Sequence, residues 1–142
     1  FLAKREVMEL FRPGSHGSTF GGNPLAAAVA TEALTVLEED KLVENSQKLG
    51  AYMLHEIAQI STHLIREARG LGLWIGVDFD PERVSAREVC ERLMERGILS
   101  KETHETVVRF APPLIITREE VDWALEQFRE VVAEIEARQN AA

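Results

Sequence analysis

The chain has 142 residues, which fits one domain or a domain with an extension. Its 45% hydrophobic and 28% charged residues are those of an ordinary globular protein, and no apolar stretch is long enough to span a bilayer. The formal net charge of −8 repels nucleic-acid phosphate and anionic lipid, which argues against nucleic acid and membrane as partners.

The single cysteine, Cys90, has no partner for an internal disulfide, which suits a reducing, cytoplasmic setting. No secretory signal is readable, and the opening at Phe1, with FLAKREVMELFRPG, reads as the middle of a longer sequence. Leu2 to Phe11 predicts a short helix with Val7, Leu10 and Phe11 on its apolar side, stopped by Pro13 and Gly14. A loop rich in Gly, Ser and Thr follows. Asn23 then stands as N-cap, with Pro24 at the first helical position, where a missing N–H costs nothing. Leu25 to Glu38 is strongly helix-forming and alanine-rich. A further helix is predicted from Leu42 to Ile60, with Leu49, Met53, Ile57 and Ile60 as its buried stripe.

Ile65 to Arg69 reads as an extended segment. Leu73, Ile75, Val77 and Phe79 alternate as in a period-two strand, ended by Asp80 and Pro81. Ser85 to Glu88 (SARE) predicts a capping box opening a helix, with Val89 and Leu93 inward and Gly97 as C-cap. An extended run from Ile98 and a β-rich run from Thr106 to Phe110 precede Pro112–Pro113. Thr117 to Glu120 (TREE) predicts a second capping box. The helix behind it carries Val121, Leu125, Phe128, Val132 and Ile135 on one face and ends in a frayed ARQNAA tail. Few strands with helices on one side predict an α+β domain around a small, mostly antiparallel sheet.

The loop from Pro13 to Pro24, PGSHGSTFGGNP, ends at a helix N-terminus, whose free N–H groups and partial positive charge suit a phosphate. Gly17, Gly21 and Gly22 permit close backbone approach, and Ser18 and Thr19 offer hydroxyl donors. On these residues alone a glycine-rich turn without a ligand remains the commoner reading. Arg109 likewise reads either as a planar grip for a carboxylate or as an arginine bridging a surface acid at a strand end.

Beyond these general grounds, PGSHGSTFGGNPLA (Pro13 to Ala26) resembles the corresponding segment of class III, fold type I aminotransferases, including the ornithine, acetylornithine and 4-aminobutyrate enzymes. SKETHETVVRFAPPLIIT (Ser100 to Thr117) resembles the ornithine type most closely, and REARGLGLWIGVDF (Arg66 to Phe79) is also similar to the family. The resemblance implies that Thr19, with Ser18 beside it, contacts the phosphate of pyridoxal 5'-phosphate (PLP) in the neighbouring subunit. It implies that Arg109 faces a substrate carboxylate or a gating glutamate. In Arg66–Phe79 it implies structural roles: Gly70 and Gly72 shape the start of a core strand, and Trp74 packs. Residues 1–40 are then the end of a large PLP-binding domain with an interdomain helix, and 41–142 a small C-terminal domain.

The family's Schiff-base lysine and pyridine-nitrogen acid both precede the loop. Lys4 is too close to the loop, Lys41 and Lys48 lie on a polar helix face, and Lys101 is not the residue the family uses. No catalytic residue is therefore expected in this chain, and by itself it is expected to be inactive. His16 reads as a loop-ordering residue, and His104 as either a surface residue or one near the substrate entrance. His55 and His63 lack metal-ligand spacing, and Cys90 reads as a small core residue. The implied activity is transfer of the δ-amino group of ornithine to a 2-oxo acid, with a homodimer or higher homo-oligomer as the assembly. Acetylornithine or 4-aminobutyrate transamination and a non-catalytic binding module on the same fold stand as alternatives. Without the large domain, apolar surface on the Leu25–Leu37 helix is expected to be exposed and to favour self-association.

Overall fold

The computed structural model describes residues 3–141. The chain divides into two compact units, one up to Glu39 and one from Asp40. The first unit contains α1 (Arg5–Met8), the glycine-rich loop and α2 (Pro24–Glu39). The second contains α3 (Leu42–Ala58), β1 (Ile65–Leu71), β2 (Trp74–Phe79), α4 (Ala86–Glu95), β3 (Lys101–Thr103), β4 (Val107–Phe110) and α5 (Arg118–Asn140). No helix among the described residues is long and apolar enough to cross a membrane.

In the first unit the predicted opening helix shrinks to the single turn α1, and Leu2 lies outside the described residues. A lone turn closes few hydrogen bonds for the residues it fixes, and α1 buries none of its side chains. α2 forms as its alanine-rich sequence predicts. The Asn23 side chain accepts from the Ala26 N–H at 2.9 Å, an N-cap, and its amide group donates to the Phe20 carbonyl at 2.6 Å. None of α2 is buried, and Leu25, Val29 and Leu34 are all exposed.

The second unit is an α+β fold. Its four strands form one wholly antiparallel sheet in the order β1-β2-β4-β3. Ile75, Val77 and Phe79 of β2 and Val108 of β4 turn to one face and are fully buried under the helices. α3 packs on β1 and β2, α4 on β3 and β4, and α5 on both α3 and α4. Phe128 of α5 meets the edges of Phe79 and Phe110, at centroid distances of 6.3 and 5.4 Å. The stripe predicted for α5 is buried in full, together with Val131. On α3, Leu49, Met53 and Ile57 are buried, whereas Ile60 lies beyond the helix end and is half-buried against the core.

Capping chemistry follows the sequence with one exception. Thr117 and Glu120 form the full reciprocal box. At Ser85 only half of it forms: the hydroxyl accepts from the Glu88 N–H at 3.1 Å. The Glu88 carboxylate is drawn instead to Arg92 and Arg138, because two guanidinium groups outcompete one backbone N–H. Gly97 (φ +85°) ends α4 in a Schellman motif, with its own N–H on Met94 and that of Ile98 on Leu93. The expected fraying at the C-terminus does not occur before Asn140. Gln139 donates to the Arg83 carbonyl and Arg138 pairs with Glu88, which tie the last turn down, while Ala142 lies outside the described residues.

The β1–β2 hairpin turns in two residues, Gly72 and Leu73, and Gly72 adopts φ +56°. Against this turn lies the backbone of α3. A Cβ at Gly50 would sit 2.0 Å from the Gly72 carbonyl oxygen, and the Leu73 N–H donates to Ser46 Oγ at 3.1 Å. Helix propensity alone predicts that Gly50→Ala adds about 1 kcal/mol of stability. The contact predicts the reverse sign, a loss of about 2–3 kcal/mol, since two backbones would have to separate. Chemical denaturation of the variant decides between them, and a stabilised Gly50→Ala would remove the close approach from this account.

Candidate functional site

Two regions carry the residues singled out by sequence, one in each unit. In the first, the loop is organised by its own short hydrogen bonds. Ser15 Oγ accepts from the Arg12 N–H at 3.0 Å and donates to the Arg12 carbonyl at 2.7 Å. Ser18 Oγ accepts from the Gly21 N–H at 2.9 Å, and a Cβ at Gly21 would come within 3.0 Å of that hydroxyl. Gly22 takes φ +74° just ahead of the Asn23 cap. His16 sets its ring against Phe11 at 5.9 Å. The Thr19 hydroxyl and the Leu25 N–H, at the first turn of α2, make no hydrogen bond among the described residues. The loop thus leaves a side-chain donor and a helix N-terminal donor exposed, a set that fits a phosphate group.

In the second unit the helices cover one face of the sheet and leave the other open. Alternation along β2 puts Trp74, Gly76 and Asp78 on the open face, and that along β4 adds Val107 and Arg109. Here the structure corrects the expectation for Trp74: it is not a packing residue but is 64% exposed. A hollow of about 540 Å³ on this face is lined by Arg69, Leu71, Trp74, His104, Val107 and Arg109, among others. The Arg109 guanidinium lies over the Trp74 ring, 5.3 Å from its centroid.

The electrostatic setting of Arg109 is unlike that of its neighbours. Every other arginine from Asp40 onward reaches a carboxylate within salt-bridge range. Arg109 pairs with none among the described residues. The nearby acids are engaged: Asp78 accepts from Arg66 through both carboxylate oxygens, at 2.9 and 3.0 Å, and Glu67 takes Arg69 at 2.9 Å. Burial raises the Asp78 pKa, but hydrogen bonds from Arg66 and Thr106 outweigh it and leave the carboxyl below its ordinary value. Across the ladder Arg109 faces Gly76 on one side and Lys101 on the other.

The remaining candidates fall as follows. Lys4, Lys41, Lys48 and Lys101 are all exposed. Lys41 precedes α3 in the left-handed region (φ 52°), and Lys48 lines a shallow hollow beside α3 with Asn45 and Thr117. His104 forms the tip of the β3–β4 hairpin together with Glu105, both at positive φ, and its side chain borders the Arg109 hollow. Positive φ in two non-glycine residues is local strain beside a candidate site. Burial pushes the Cys90 thiol up, away from the thiolate a nucleophile needs. His55 and His63 are exposed, and no cluster of metal-ligating side chains occurs among the described residues. Sequence reasoning missed the Trp74 stack, although the alternation that buries Ile75 and Val77 already assigns Trp74 to the opposite face.

Comparison with known proteins connects these features. The family described as "Aminotransferase class-III" matches residues 1–132. The chain is 54% identical over 130 residues to the ornithine aminotransferase of Bacillus subtilis, covering 92% of this chain and 32% of that protein. It is 57% identical over 129 residues to that of Staphylococcus carnosus, covering 91% and 32%. Among solved structures it resembles Plasmodium falciparum ornithine delta-aminotransferase (TM-score 0.86, 40% identity, 96% of this chain and 36% of that one). It also resembles the acetylornithine aminotransferase of Elizabethkingia anophelis (TM-score 0.78, 40% identity, 94% and 36%). The chain spans about a third of the length of these relatives. With the family match running through both the loop and the sheet that carries Arg109, this chain belongs to the class-III aminotransferases.

Proposed function

We propose that the chain contributes the C-terminal part of a PLP-dependent aminotransferase acting on ornithine and a 2-oxo acid, with Arg109 as its carboxylate grip. The observation that carries this reading is the guanidinium of Arg109, without a carboxylate partner among the described residues, on an open, partly apolar hollow. A guanidinium presents two parallel N–H groups that match a carboxylate, and a partly apolar wall strengthens the pair by keeping water off it. Ornithine and 2-oxo acids both bring such a carboxylate. The high identity to ornithine aminotransferases favours the ornithine type, and the acetylornithine neighbour supplies the nearest alternative.

Residues 1–40 are assigned to the end of the large domain and 41–142 to the small domain. Thr19, ordered by the Ser18–Gly21 turn, is the residue proposed to hold the PLP phosphate, with the α2 N-terminus behind it. Class-III aminotransferases are PLP-dependent, and PLP, when bound, supplies the electron sink and the site that carries the amino group. This chain's own residues bind and orient: Ser18 shapes the loop, Thr19 donates a hydroxyl hydrogen bond to the phosphate, and Arg109 fixes the substrate carboxylate. We take the phosphate to be that of a neighbouring subunit in a homo-oligomer, and the enzyme to be cytoplasmic.

In a complete subunit that carries this chain, Arg109→Ala is expected to lower kcat/KM for ornithine about 10- to 100-fold, matching ~1.5–3 kcal/mol for a hydrogen bond to a charged group. Arg109→Lys recovers only part of this, because an ammonium keeps the charge but not the fork. An unaltered kcat/KM in Arg109→Ala would falsify the carboxylate role. Product identity tests the substrate: ornithine should yield pyrroline-5-carboxylate, and preference for acetylornithine or 4-aminobutyrate would reassign the enzyme. Thr19→Ala is expected to weaken PLP retention about five-fold, or ~1 kcal/mol, read from cofactor absorbance after dialysis; retention equal to wild type contradicts the phosphate role. The 142-residue chain alone is expected to give no transamination, so turnover by the purified chain would show that the reacting residue lies within it.

A further inference from the structure

We propose that Trp74 is a positioning residue for Arg109, holding its guanidinium in place on the open sheet face so that the N–H edge is presented to the incoming carboxylate. This inference rests on the carboxylate role assigned to Arg109 above. It starts from a residue that packing does not explain: Trp74 is 64% exposed at the head of a strand whose alternate residues are fully buried.

The ladder geometry explains why a ring belongs there. Ile75 pairs with Phe110 and Gly76 with Arg109, so Trp74 is the diagonal cross-strand neighbour of Arg109, within reach of a long side chain. Gly76, directly opposite, offers no side chain to hold the guanidinium. On the other side the residue opposite is Lys101, a like charge that repels it towards β2. Among the described residues no acid competes, because Asp78 is held by Arg66 and Glu67 by Arg69. The Trp74 ring, 5.3 Å away, is therefore the one side-chain partner of the Arg109 guanidinium among the described residues.

The two interactions of the guanidinium are compatible. A cation–π contact uses the face of the ring, while a carboxylate is gripped by the N–H edge of the guanidinium. A guanidinium already ordered by Trp74 loses less side-chain freedom when the carboxylate arrives. The effect therefore belongs in substrate binding, not in the chemical step.

The test is a KM-against-kcat comparison in the complete, PLP-loaded subunit, using Trp74→Leu, Trp74→Phe, Arg109→Ala and the Trp74→Leu/Arg109→Ala double variant. Trp74→Leu should raise KM for the carboxylate substrate roughly two- to five-fold, the factor corresponding to ~0.5–1 kcal/mol for an exposed cation–π contact, with kcat and Tm unchanged. Trp74→Phe should restore most of the wild-type KM, since a ring face is retained. In the Arg109→Ala background Trp74→Leu should add nothing. The proposal is overturned by an unchanged KM in Trp74→Leu, by a Trp74→Phe no better than Leu, or by a Trp74→Leu effect that persists without Arg109. A Trp74→Leu that lowers Tm and kcat together would make it a folding residue and overturn the proposal as well. If Arg109→Ala itself leaves KM and kcat unchanged, the reading of Arg109 fails and takes this one with it, so the two failures are told apart.

Discussion

The second unit depends on one close approach of backbones. Gly50 of α3 lies against the carbonyl of Gly72, at a distance no side chain could occupy, and Ser46 one turn earlier binds the next N–H of the hairpin turn. The helix thereby fixes where β1 ends and β2 begins. In a strand a shift of one residue exchanges the two faces, so pinning the turn decides that Ile75, Val77 and Phe79 enter the core and that Trp74, Gly76 and Asp78 do not. β4 inherits its register from β2, through Ile75–Phe110 and Gly76–Arg109. The exposure of Arg109 on the open face is thus a consequence, two strands removed, of a glycine on α3.

The charged residues of the unit divide the same way. On the helical side, Arg96 reaches Glu130 and Glu134, Arg92 reaches Glu88 and Glu134, and Arg138 reaches Glu88, so that α4 and α5 share one network. Each such exposed pair contributes little by itself. Their joint effect is to neutralise Arg92, Arg96 and Arg138 and to tie α5 to α4. On the open side Arg66 and Arg69 are also neutralised by Asp78 and Glu67, which leaves Arg109 and Lys101 as adjacent cations without an acid among the described residues. Two like charges directly opposite across a ladder are unfavourable, and an anion between or beside them removes that cost.

What the sequence made legible is what depends on local pattern. The buried stripes of α3 and α5, the Asn23 and Thr117 caps and the Gly97 stop follow from spacing and side-chain chemistry within one or two turns. What it hid depends on partners far along the chain. The Ser85 box is incomplete because Arg138, fifty residues away, takes the Glu88 carboxylate. The last turn of α5 stays helical because Arg83 accepts from Gln139. Gly50 looks like a weak point in a helix until Gly72 is placed against it. Trp74 is an intermediate case: its face was readable from the alternation, but an aromatic residue beside a core strand invites the assumption of burial. Ser18, Thr19 and Arg109 could be named from the family resemblance, whereas the lack of a carboxylate partner for Arg109 required the register of three strands.

The overall charge sharpens what the open face can recognise. A chain with a net charge of −8 sets up a field that disfavours approach of large polyanions. Within that field the row Arg69–Gly76–Arg109–Lys101 crosses the sheet and concentrates positive charge on one strip, whose Arg109 and Lys101 end has no acid partner among the described residues. Leu71, Trp74 and Val107 border it with apolar surface, which lowers the local dielectric and lengthens the reach of the uncompensated charges. A small carboxylate can enter this strip without meeting the repulsion that a nucleic acid or an anionic membrane would meet over the wider surface. On the carboxylate role proposed for Arg109, discrimination against larger polyanions comes from the size of the ligand relative to the strip as much as from the guanidinium itself.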